Sequence, residues 1–551
     1  MNHAEAENTV VNTVVDDKWK LPCSEMRFVA KVVNADGGHP AYLMTFRGAT
    51  GVWKEIEIPV TLTLRLAQLA RHLIERGVEL FSDDAPKRVA DFLRTCRGGQ
   101  TLLRAERDGW IDYGQEKSYV FGSECFSDRV ERVIRAQAAV RTSAGTLAEW
   151  AEVTALCRGN PLMIVALCFA FASGLLTLFG QSGVCVNLVG ASSTGKSTIL
   201  RLLQGLTCSP DCLPNWEATA NGLEAYAAQY RDMPLIIDEL GQSDVASFGQ
   251  SVYRMTNGSG RLRAKTDGSL AAQAQLLNVI ISAGEESPAD RIRRSGQQAL
   301  AGQLARFITL PINGKHGAFD ILHGESNGAA FSTQVRSKLR GVHGVAWREF
   351  SQYIAANIPT VRRKHDEHYR DLEAVISEGC NLDPSDGVQQ RVLEHFAFAA
   401  FSAFVAIDSG VLRIEYGDVA EAMIRCFGDW LKQHQADSCT PDDEIAEEVR
   451  AIVQKARNRL PPYSAFRDSK RDTQIGFTHT AKAVDMILLL PAAMRKINEK
   501  YGKKRVKEAL LRKGLLISGL DGRPTSQFIV PGHANLKPST YALRADAIFS
   551  E

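Results

Sequence analysis

The sequence predicts an α/β protein, and three segments of the chain carry that prediction. The apolar run Val184–Val189 has the length of a buried strand and leads into the glycine-rich segment Gly190–Ser197. Further along the chain, Leu235–Ile237 is a second apolar run, and the carboxylates of Asp238 and Glu239 follow it directly. Strand, glycine-rich turn and helix in this order are typical of a phosphate-binding core built on a parallel sheet.

The segment Gly190–Thr198 is the strongest local motif. Its glycines allow consecutive backbone N–H groups to surround a triphosphate, Lys196 can reach the outer phosphates, and the Ser197 hydroxyl can ligate Mg²⁺. A chance match is the alternative, because glycine, serine and threonine are common in loops. The residues that we predict to bind the nucleotide are Gly190, Ala191, Ser192, Ser193, Thr194, Gly195, Lys196, Ser197 and Thr198.

The acidic pair Asp238 and Glu239 argues against a chance match, because it ends an apolar run as the partner strand of a phosphate loop does. We expect this strand to lie beside the loop. Asp238 would then hold Mg²⁺ together with Ser197, and Glu239 would polarise the water that attacks the outer phosphate. The two motifs together predict an ATPase that uses ATP and Mg²⁺, with Lys196, Asp238 and Glu239 as catalytic residues.

Length, composition and charge allow this interpretation and restrict the class of protein. The 551 residues are 45% hydrophobic and 23% charged, which suffices for several domains with cores of their own. Eleven scattered cysteines and the lack of a basic-then-apolar amino-terminal signal favour the cytoplasm over secretion. The uncharged stretch 161–179 has nearly the length of a membrane span, but it leads directly into the strand before the phosphate loop. We interpret it as a buried helix, with a membrane segment as the weaker alternative.

The segment before the phosphate loop contains no catalytic motif. Residues 1–17 are polar and predict a mobile tail. The runs Met26–Val33, Ala41–Phe46 and Val52–Ile58 alternate or are apolar between turns, which predicts a three-stranded antiparallel meander. Two amphipathic helices are expected after it. This part of the chain therefore predicts an α+β accessory domain.

The carboxy-terminal part of the chain is basic. From Arg450 to Lys513 there are seventeen Lys or Arg against five Asp or Glu, although the whole chain has a net charge of only +2. Such an excess suggests a polyanionic partner, with a solvated charged surface as the alternative. A winged helix has a basic helix that can meet the DNA backbone, followed by a strand, a loop and a returning strand. The segments with this outline are the helix 494–512, the strands 515–518, 527–530 and 539–543, and the loop 521–525.

A basic hairpin is expected between the acidic pair and the next strand. Two glycine-bearing turns, within Asn257–Gly268, enclose Arg261, Arg263 and Lys265. Side chains alternate along a strand, so the three cations would share one face. An ordinary exposed hairpin is the alternative. In a ring-forming ATPase such a hairpin can reach into the central pore and contact the phosphate backbone of DNA.

Two further residues are candidates for sensing or stabilising the outer phosphate. Ser282 ends the strand after the hairpin, and we expect it between the two carboxylates and the phosphate, although a hydroxyl that caps a strand end is the alternative. Arg306 lies on the otherwise apolar segment Leu304–Leu310. An arginine is costly to bury without an anion, and the triphosphate of a neighbouring subunit would supply one. Arg306 is therefore our candidate arginine finger.

The order of these motifs resembles the hexameric AAA+ ATPases of the MCM and superfamily III type. From about Trp19 onward, the chain resembles the MCM-like replicative helicases of mobile elements such as chromosome cassettes, prophages and plasmids, long catalogued as a domain of unknown function. The segments that carry the resemblance are Gly109–Trp110, Gly190–Thr198, Trp216 with Thr219, Pro234–Glu239, Asn257–Gly268, Ser282–Glu285, Arg306 and the helix from Arg391. MCM proteins usually have Asn where this chain has Ser282.

The resemblance implies a hexameric 3′-to-5′ DNA helicase that unwinds DNA for the replication of a mobile element. By the resemblance, ATP sites lie between subunits, Arg306 acts in trans, and Arg391 in a helical lid is the second sensor. Arg261, Arg263 and Lys265 would touch single-stranded DNA. A loader, primase or polymerase of the same element is the implied partner protein, and no membrane is involved.

The combined interpretation has five segments and leaves two other functions open. We expect a mobile tail at 1–17, an amino-terminal α+β domain at 18–144 and the AAA+ core at 145–345. A helical lid at 346–436 and a basic domain with the winged helix at 437–551 are expected to follow. One alternative is an AAA+ initiator, loader or remodeller that binds DNA without translocating. The other is a defence or signalling ATPase that binds RNA or protein.

Overall fold

The computed structural model divides the chain into two compact units, Met1–Leu431 and Lys432–Glu551. The predicted mobile tail at 1–17 and the hairpin cations Arg263 and Lys265 lie outside the residues that the structure describes. The described residues are 21–34, 38–96, 101–105, 107–113, 116–127, 133–135, 141–244, 248–262, 270, 273, 275–294, 305–380, 382, 385–438, 441–457, 460–462, 475–481, 484–517, 526–527 and 539–549.

The first unit begins with a mixed five-stranded sheet, in the order β3-β2-β1-β4-β8, and two amphipathic helices. β1, β2 and β3 form the predicted antiparallel meander, and β4 and β8 add to it in parallel. Leu69 and Leu73 of the first helix pack against Met44 and Phe46 of the sheet. The elements are β1 (Met26–Asn34), β2 (Ala41–Arg47), β3 (Trp53–Pro59), α1 (Leu66–Glu75), α2 (Ala85–Thr95), β4 (Thr101–Ala105), β5 (Gly109–Tyr113), β6 (Glu116–Phe121), β7 (Glu124–Phe126) and β8 (Val133–Arg135).

The strands β5, β6 and β7 form a separate antiparallel sheet that belongs to the large hydrophobic core of the first unit. The indole of Trp110 donates a hydrogen bond to the Gly174 carbonyl at 2.8 Å, and the Tyr119 hydroxyl donates to the Asp232 carbonyl at 2.6 Å. Gly109 has φ 98°, and a Cβ there would lie 2.7 Å from a neighbouring backbone carbonyl. Only glycine fits this close approach.

The core sheet of the first unit is four-stranded and parallel, in the order β10-β13-β9-β14. The carboxylate strand β10 and the loop strand β9 are separated by β13, which pairs with both of them. β13 is buried along its whole length, as a central parallel strand is. The strands of this part are β9 (Val184–Val189), β10 (Pro234–Ile237), β11 (Gly258–Ser259), β12 (Gln275–Leu276), β13 (Val279–Gly284) and β14 (Phe307–Pro311).

Helices cover this sheet and continue beyond it. They are α3 (Leu147–Ala155), α4 (Pro161–Ala172), α5 (Leu176–Phe179), α6 (Lys196–Gln204), α7 (Ala220–Gln229), α8 (Phe248–Thr256), α9 (Pro288–Arg294), α10 (Gly328–Gly341), α11 (Val345–Ala356), α12 (Ile358–Glu378), α13 (Gly387–Asp408) and α14 (Tyr416–Ser438). α4 is the predicted buried helix: it contacts the sheet and α13, where Phe169 meets Phe396 edge to face at 5.2 Å. In the described part of the chain, no helix is both long and apolar enough to cross a bilayer.

The second unit contains a five-stranded antiparallel sheet and short helices. The predicted helix 494–512 is two helices, because Gly502 leaves the helical conformation with φ 82° and ψ 131°. The predicted returning strand is present and pairs with two short strands, whereas the loop 521–525 and residues 528–530 lie outside the described residues. The elements are α15 (Pro441–Ala456), β15 (Gly476–Ala481), β16 (Val484–Leu489), α16 (Arg495–Tyr501), α17 (Lys503–Arg512), β17 (Leu516–Ile517), β18 (Ser526–Gln527), β19 (Ser539–Arg544) and α18 (Ala545–Phe549).

Candidate active site

The carboxyl ends of β9, β10 and β13 meet at one edge of the core sheet, which is where ligands bind in open parallel sheets. A cavity of about 870 Å³ opens there. Its walls include Ser192–Thr198 of the phosphate loop, together with Asp238 and Glu239. Gly190 and Ala191 lead into the loop behind this wall. The structure therefore brings together the two motifs that the sequence singled out, in a cavity large enough for a nucleotide.

The conformation of the phosphate loop is fixed by its backbone angles and by contacts with the segment Ala318–Phe319. Ser193 and Gly195 have φ 62° and 98°, so the chain turns sharply before α6 begins at Lys196. The Thr194 carbonyl accepts a hydrogen bond from the Ala318 N–H at 2.7 Å. A Cβ on Gly195 would lie 2.6 Å from the ring of Phe319, which explains the glycine.

Lys196 lies inside the loop. Its ammonium donates hydrogen bonds to the carbonyls of Gly190 and Ala191, both at 2.6 Å. Burial lowers the pKa of Lys196, while the nearby carboxylates of Glu285 and Asp238 act in the opposite direction. A lysine held by two backbone carbonyls can transfer these hydrogen bonds to phosphate oxygens without leaving the loop.

The two carboxylates take different positions at the end of β10. The Asp238 N–H donates to the Pro214 carbonyl at 2.8 Å, and one carboxylate oxygen accepts from the Glu239 N–H at 2.8 Å. Glu239 has the left-handed φ of 58°, a costly conformation for a residue other than glycine, and its side chain bonds to Gln242. This sharp turn directs consecutive carboxylates to different parts of the cavity.

The residues present fit a magnesium ion. The Ser197 hydroxyl and the Asp238 carboxylate both line the cavity, and both are hard oxygen donors. Among the described residues, no group of three or more His, Cys, Asp or Glu could hold a metal ion. Mg²⁺ usually takes one or two protein ligands and completes its shell with waters and substrate phosphates.

Ser282 is not at the cavity. It is fully buried, and its hydroxyl accepts a hydrogen bond from the indole of Trp216 at 2.8 Å. Its strand lies between the loop strand and the carboxylate strand, but the cavity is reached only by the residues that follow, Ala283–Glu286. The geometry thus differs from the prediction that the Ser282 hydroxyl faces the outer phosphate.

Arg306 and Arg391 do not line the cavity of their own chain. Arg306 precedes β14; its guanidinium donates to the Asn257 side chain at 3.3 Å and lies 5.4 Å from the ring centre of Tyr253. Burial and the charge of Arg306 together lower the pKa of His395 to about 4. Arg391 is exposed on α13.

The base of the predicted hairpin is present. β11 and β12 pair antiparallel, and the backbone N–H of Arg261 donates to the buried carboxylate of Glu224 at 2.8 Å. The Gln273 side chain donates to the Gly260 carbonyl at 2.7 Å. Two side chains therefore fix the start of the hairpin.

Several arginines at the cavity were missed by the sequence analysis. Arg201, Arg291, Arg294 and Arg336 line it, from helices α6, α9 and α10. Arg291 is buried and binds the Glu286 carboxylate at 2.9 Å and the Gly241 carbonyl at 2.7 Å. No local motif marks these arginines, because only the packing of their helices on the sheet brings them to the site.

Two comparisons with known proteins show what the chain is similar to. A family model described as a domain of unknown function, DUF927, matches residues 6–275, which include the phosphate loop and the acidic pair. A solved structure described as "SCCmec type IV Cch - active helicase" is similar, with a TM-score of 0.63, 17% identity, and coverage of 96% of this chain and 94% of that chain. The chain resembles a mobile-element helicase of the Cch type. The predicted resemblance to helicases of this type is thereby confirmed, and at this identity the structural likeness establishes the fold. No curated protein sequence matches the chain significantly.

Proposed function

We propose that this protein is an ATP-dependent DNA helicase that unwinds DNA for the replication of a mobile element. The observation that carries the proposal is the cavity at which the phosphate loop meets Asp238 and Glu239, in a fold similar to that of a solved active helicase. We place the protein in the cytoplasm, with DNA and a loader, primase or polymerase of the same element as partners.

The proposed chemistry is hydrolysis of the outer phosphate of ATP. The backbone N–H groups of the loop and Lys196 bind the phosphates, and Glu239 accepts the proton of the attacking water. Mg²⁺, held by Ser197 and Asp238, would neutralise charge on the phosphates. The fixed loop and the left-handed turn at Glu239 position these groups before the substrate arrives, so little reorganisation is needed.

We propose an AAA+ core that assembles as an MCM-like hexamer with ATP sites between subunits. β13 between the loop strand and the carboxylate strand supports this core, since its end can report on both motifs. Arg306 lies away from its own cavity, as a finger that acts on a neighbour must. Helices α11 to α14 would form the lid that carries Arg391 as the second sensor.

We propose that the hairpin of Arg261, Arg263 and Lys265 contacts single-stranded DNA and moves with 3′-to-5′ polarity. Its anchoring supports this role. Glu224 holds the start of the hairpin to α7, and Arg231, which follows the end of the same helix, binds Gln275 of β12. A hairpin fixed at both strands can transmit the motion of the core to a bound DNA backbone.

We propose that the second unit is a winged helix that binds duplex DNA through α17. Acidic side chains of α15 neutralise some cations of this unit: Lys500 of α16 pairs with Glu448 at 2.6 Å, and Arg512 of α17 pairs with Asp442 at 2.9 Å. Lys513 pairs with Asp443. In contrast, the first turn of α17 is exposed and forms no ion pair with described residues. Its cations are Lys503, Lys504 and Arg505.

Replacing Lys503, Lys504 and Arg505 together by Ala should weaken duplex binding by about 100-fold or more at 0.1 M salt. It should also lower the slope of the salt dependence by about 2.7, because each lost phosphate contact removes about 0.9. Fluorescence anisotropy of the full chain at several salt concentrations measures both quantities. The matched control replaces the paired cations Lys500 and Arg512 by Ala and should change the slope little. If both variants weakened DNA binding equally, the proposal that the first turn of α17 contacts DNA would be wrong.

The proposed function is tested by ATP hydrolysis with and without single-stranded DNA, run beside unwinding of forked duplexes labelled on either arm. We expect hydrolysis that DNA stimulates and strand separation that requires ATP, Mg²⁺ and a single-stranded 3′ arm. DNA-stimulated hydrolysis without strand separation would instead indicate an initiator, loader or remodeller. Hydrolysis that DNA does not affect would indicate an ATPase that acts on RNA or protein.

A further inference from the structure

The end of β13 contacts the phosphate loop through a residue to which the sequence analysis gave no role. The Gly190 N–H donates to the Gly284 carbonyl at 3.2 Å, which ties the start of the loop to the end of the strand. One residue further, the Glu285 carboxylate accepts a hydrogen bond from the Ser192 hydroxyl at 2.6 Å. Glu285 therefore lies where Ser282 was expected, at the cavity and beside the loop.

The charge of Glu285 makes this position informative. Glu285 is exposed, but a carboxylate that lines a triphosphate cavity still repels the substrate. Glu285 also acts on the ammonium of Lys196, favouring its charged form. If Glu285 only lined the cavity, it would weaken the binding of a triphosphate. Its hydrogen bond to Ser192 of the phosphate loop is the feature that can compensate for this repulsion.

We propose that Glu285 is a positioning residue: its carboxylate holds Ser192, and through it the phosphate loop, in the conformation that receives the triphosphate. The inference rests on the proposed ATPase function. The short bond from a hydroxyl to a carboxylate is charge-assisted and stronger than a neutral hydrogen bond. It links the loop to the strand that lies between β9 and β10, so the loop and the acidic pair share one support.

A double-mutant cycle tests the proposal. Ser192→Ala and Glu285→Ala should each raise the KM for ATP by about tenfold, the effect expected from losing a hydrogen bond to a charged group, with kcat changed by less than about twofold. The double variant should be no worse than either single variant, because both remove the same bond.

Glu285→Gln keeps an acceptor for Ser192 without the charge and should restore a KM near that of the original protein. Glu421→Ala, an exposed glutamate on α14, is the control.

Three results would overturn the proposal. A lower KM for Glu285→Ala would show that the carboxylate only repels the substrate. A large loss of kcat in both Glu285 variants, with Ser192→Ala normal, would show a direct catalytic role. Additive effects of the two alanine substitutions would show that the two residues act independently.

Measuring the affinity for ATP distinguishes a failure of this inference from a failure of the proposed function. Calorimetric titration of the Glu239→Gln protein with ATP measures the loop without turnover, and Ser192→Ala in that background should weaken binding about tenfold. If the Glu239→Gln protein does not bind ATP, both the function and the inference fail. If it binds ATP and Ser192→Ala changes nothing, only the inference fails.

Discussion

Lys196→Ala should abolish ATP hydrolysis, and Glu239→Gln should give a protein that binds ATP without turning it over. Lys196 is the cation inside the phosphate loop, held 2.6 Å from two loop carbonyls. Its loss should lower kcat about 100-fold or more, as the loss of a single charge-stabilising donor does in other enzymes. Glu239 is the exposed carboxylate after β10, and an amide in its place cannot accept a proton. We expect a loss of 100-fold or more in kcat with ATP affinity retained.

Phosphate release and calorimetric binding of ATP measure the two effects on the same preparations. Lys338→Ala is a matched control. Lys338 lies on α10, a helix that lines the cavity, but its side chain pairs with Glu152 at 2.9 Å and does not line the cavity. It should hydrolyse ATP within about twofold of the original protein. Normal turnover by Glu239→Gln would remove Glu239 from the mechanism and direct attention to Glu285 and Glu286.

The local motifs were predictable because their chemistry is encoded in consecutive residues. A loop such as Gly190–Thr198 needs glycines at fixed positions, and Gly195 meets this need with φ 98° against the ring of Phe319. The antiparallel meander and the buried helix α4 follow in the same way from alternation and from an uninterrupted apolar run. These features depend on neighbours in sequence, so a single sequence contains the necessary information.

The order of the strands in the sheet and the direction of individual side chains could not be predicted from the sequence. Nothing within Leu235–Glu239 says which strand lies beside it, and the structure inserts β13 there. The same missing information led to Ser282 rather than Glu285, since a residue at a strand end faces either a cavity or a core according to its neighbours. Trp216, remote in sequence, takes the Ser282 hydroxyl into the core. The arginines at the cavity were missed for the same reason.

Arg306→Ala alone should lower hydrolysis about 1,000-fold, and mixing it with Lys196→Ala should restore part of the activity. The size of the loss is that of an arginine finger. The restoration follows from an assembly in which one subunit supplies the loop and its neighbour supplies the finger. With equal amounts and random mixing, about a quarter of the interfaces combine an intact Lys196 with an intact Arg306. A cis role for Arg306 predicts no restoration at any ratio.

The surroundings of Arg306 make a control necessary. Its guanidinium binds Asn257, at the start of the hairpin, and lies over the ring of Tyr253, so its removal also changes packing beside β11. Tyr253→Leu removes the ring and leaves the arginine, and it should hydrolyse ATP within about twofold of the original protein. If Tyr253→Leu loses as much activity as Arg306→Ala, the arginine supports the hairpin instead of a neighbouring site. If Tyr253→Leu is active and the mixture regains activity, two chains must share each ATP site. A closed ring is the assembly in which every subunit gives its phosphate loop to one neighbour's site and its Arg306 to another's.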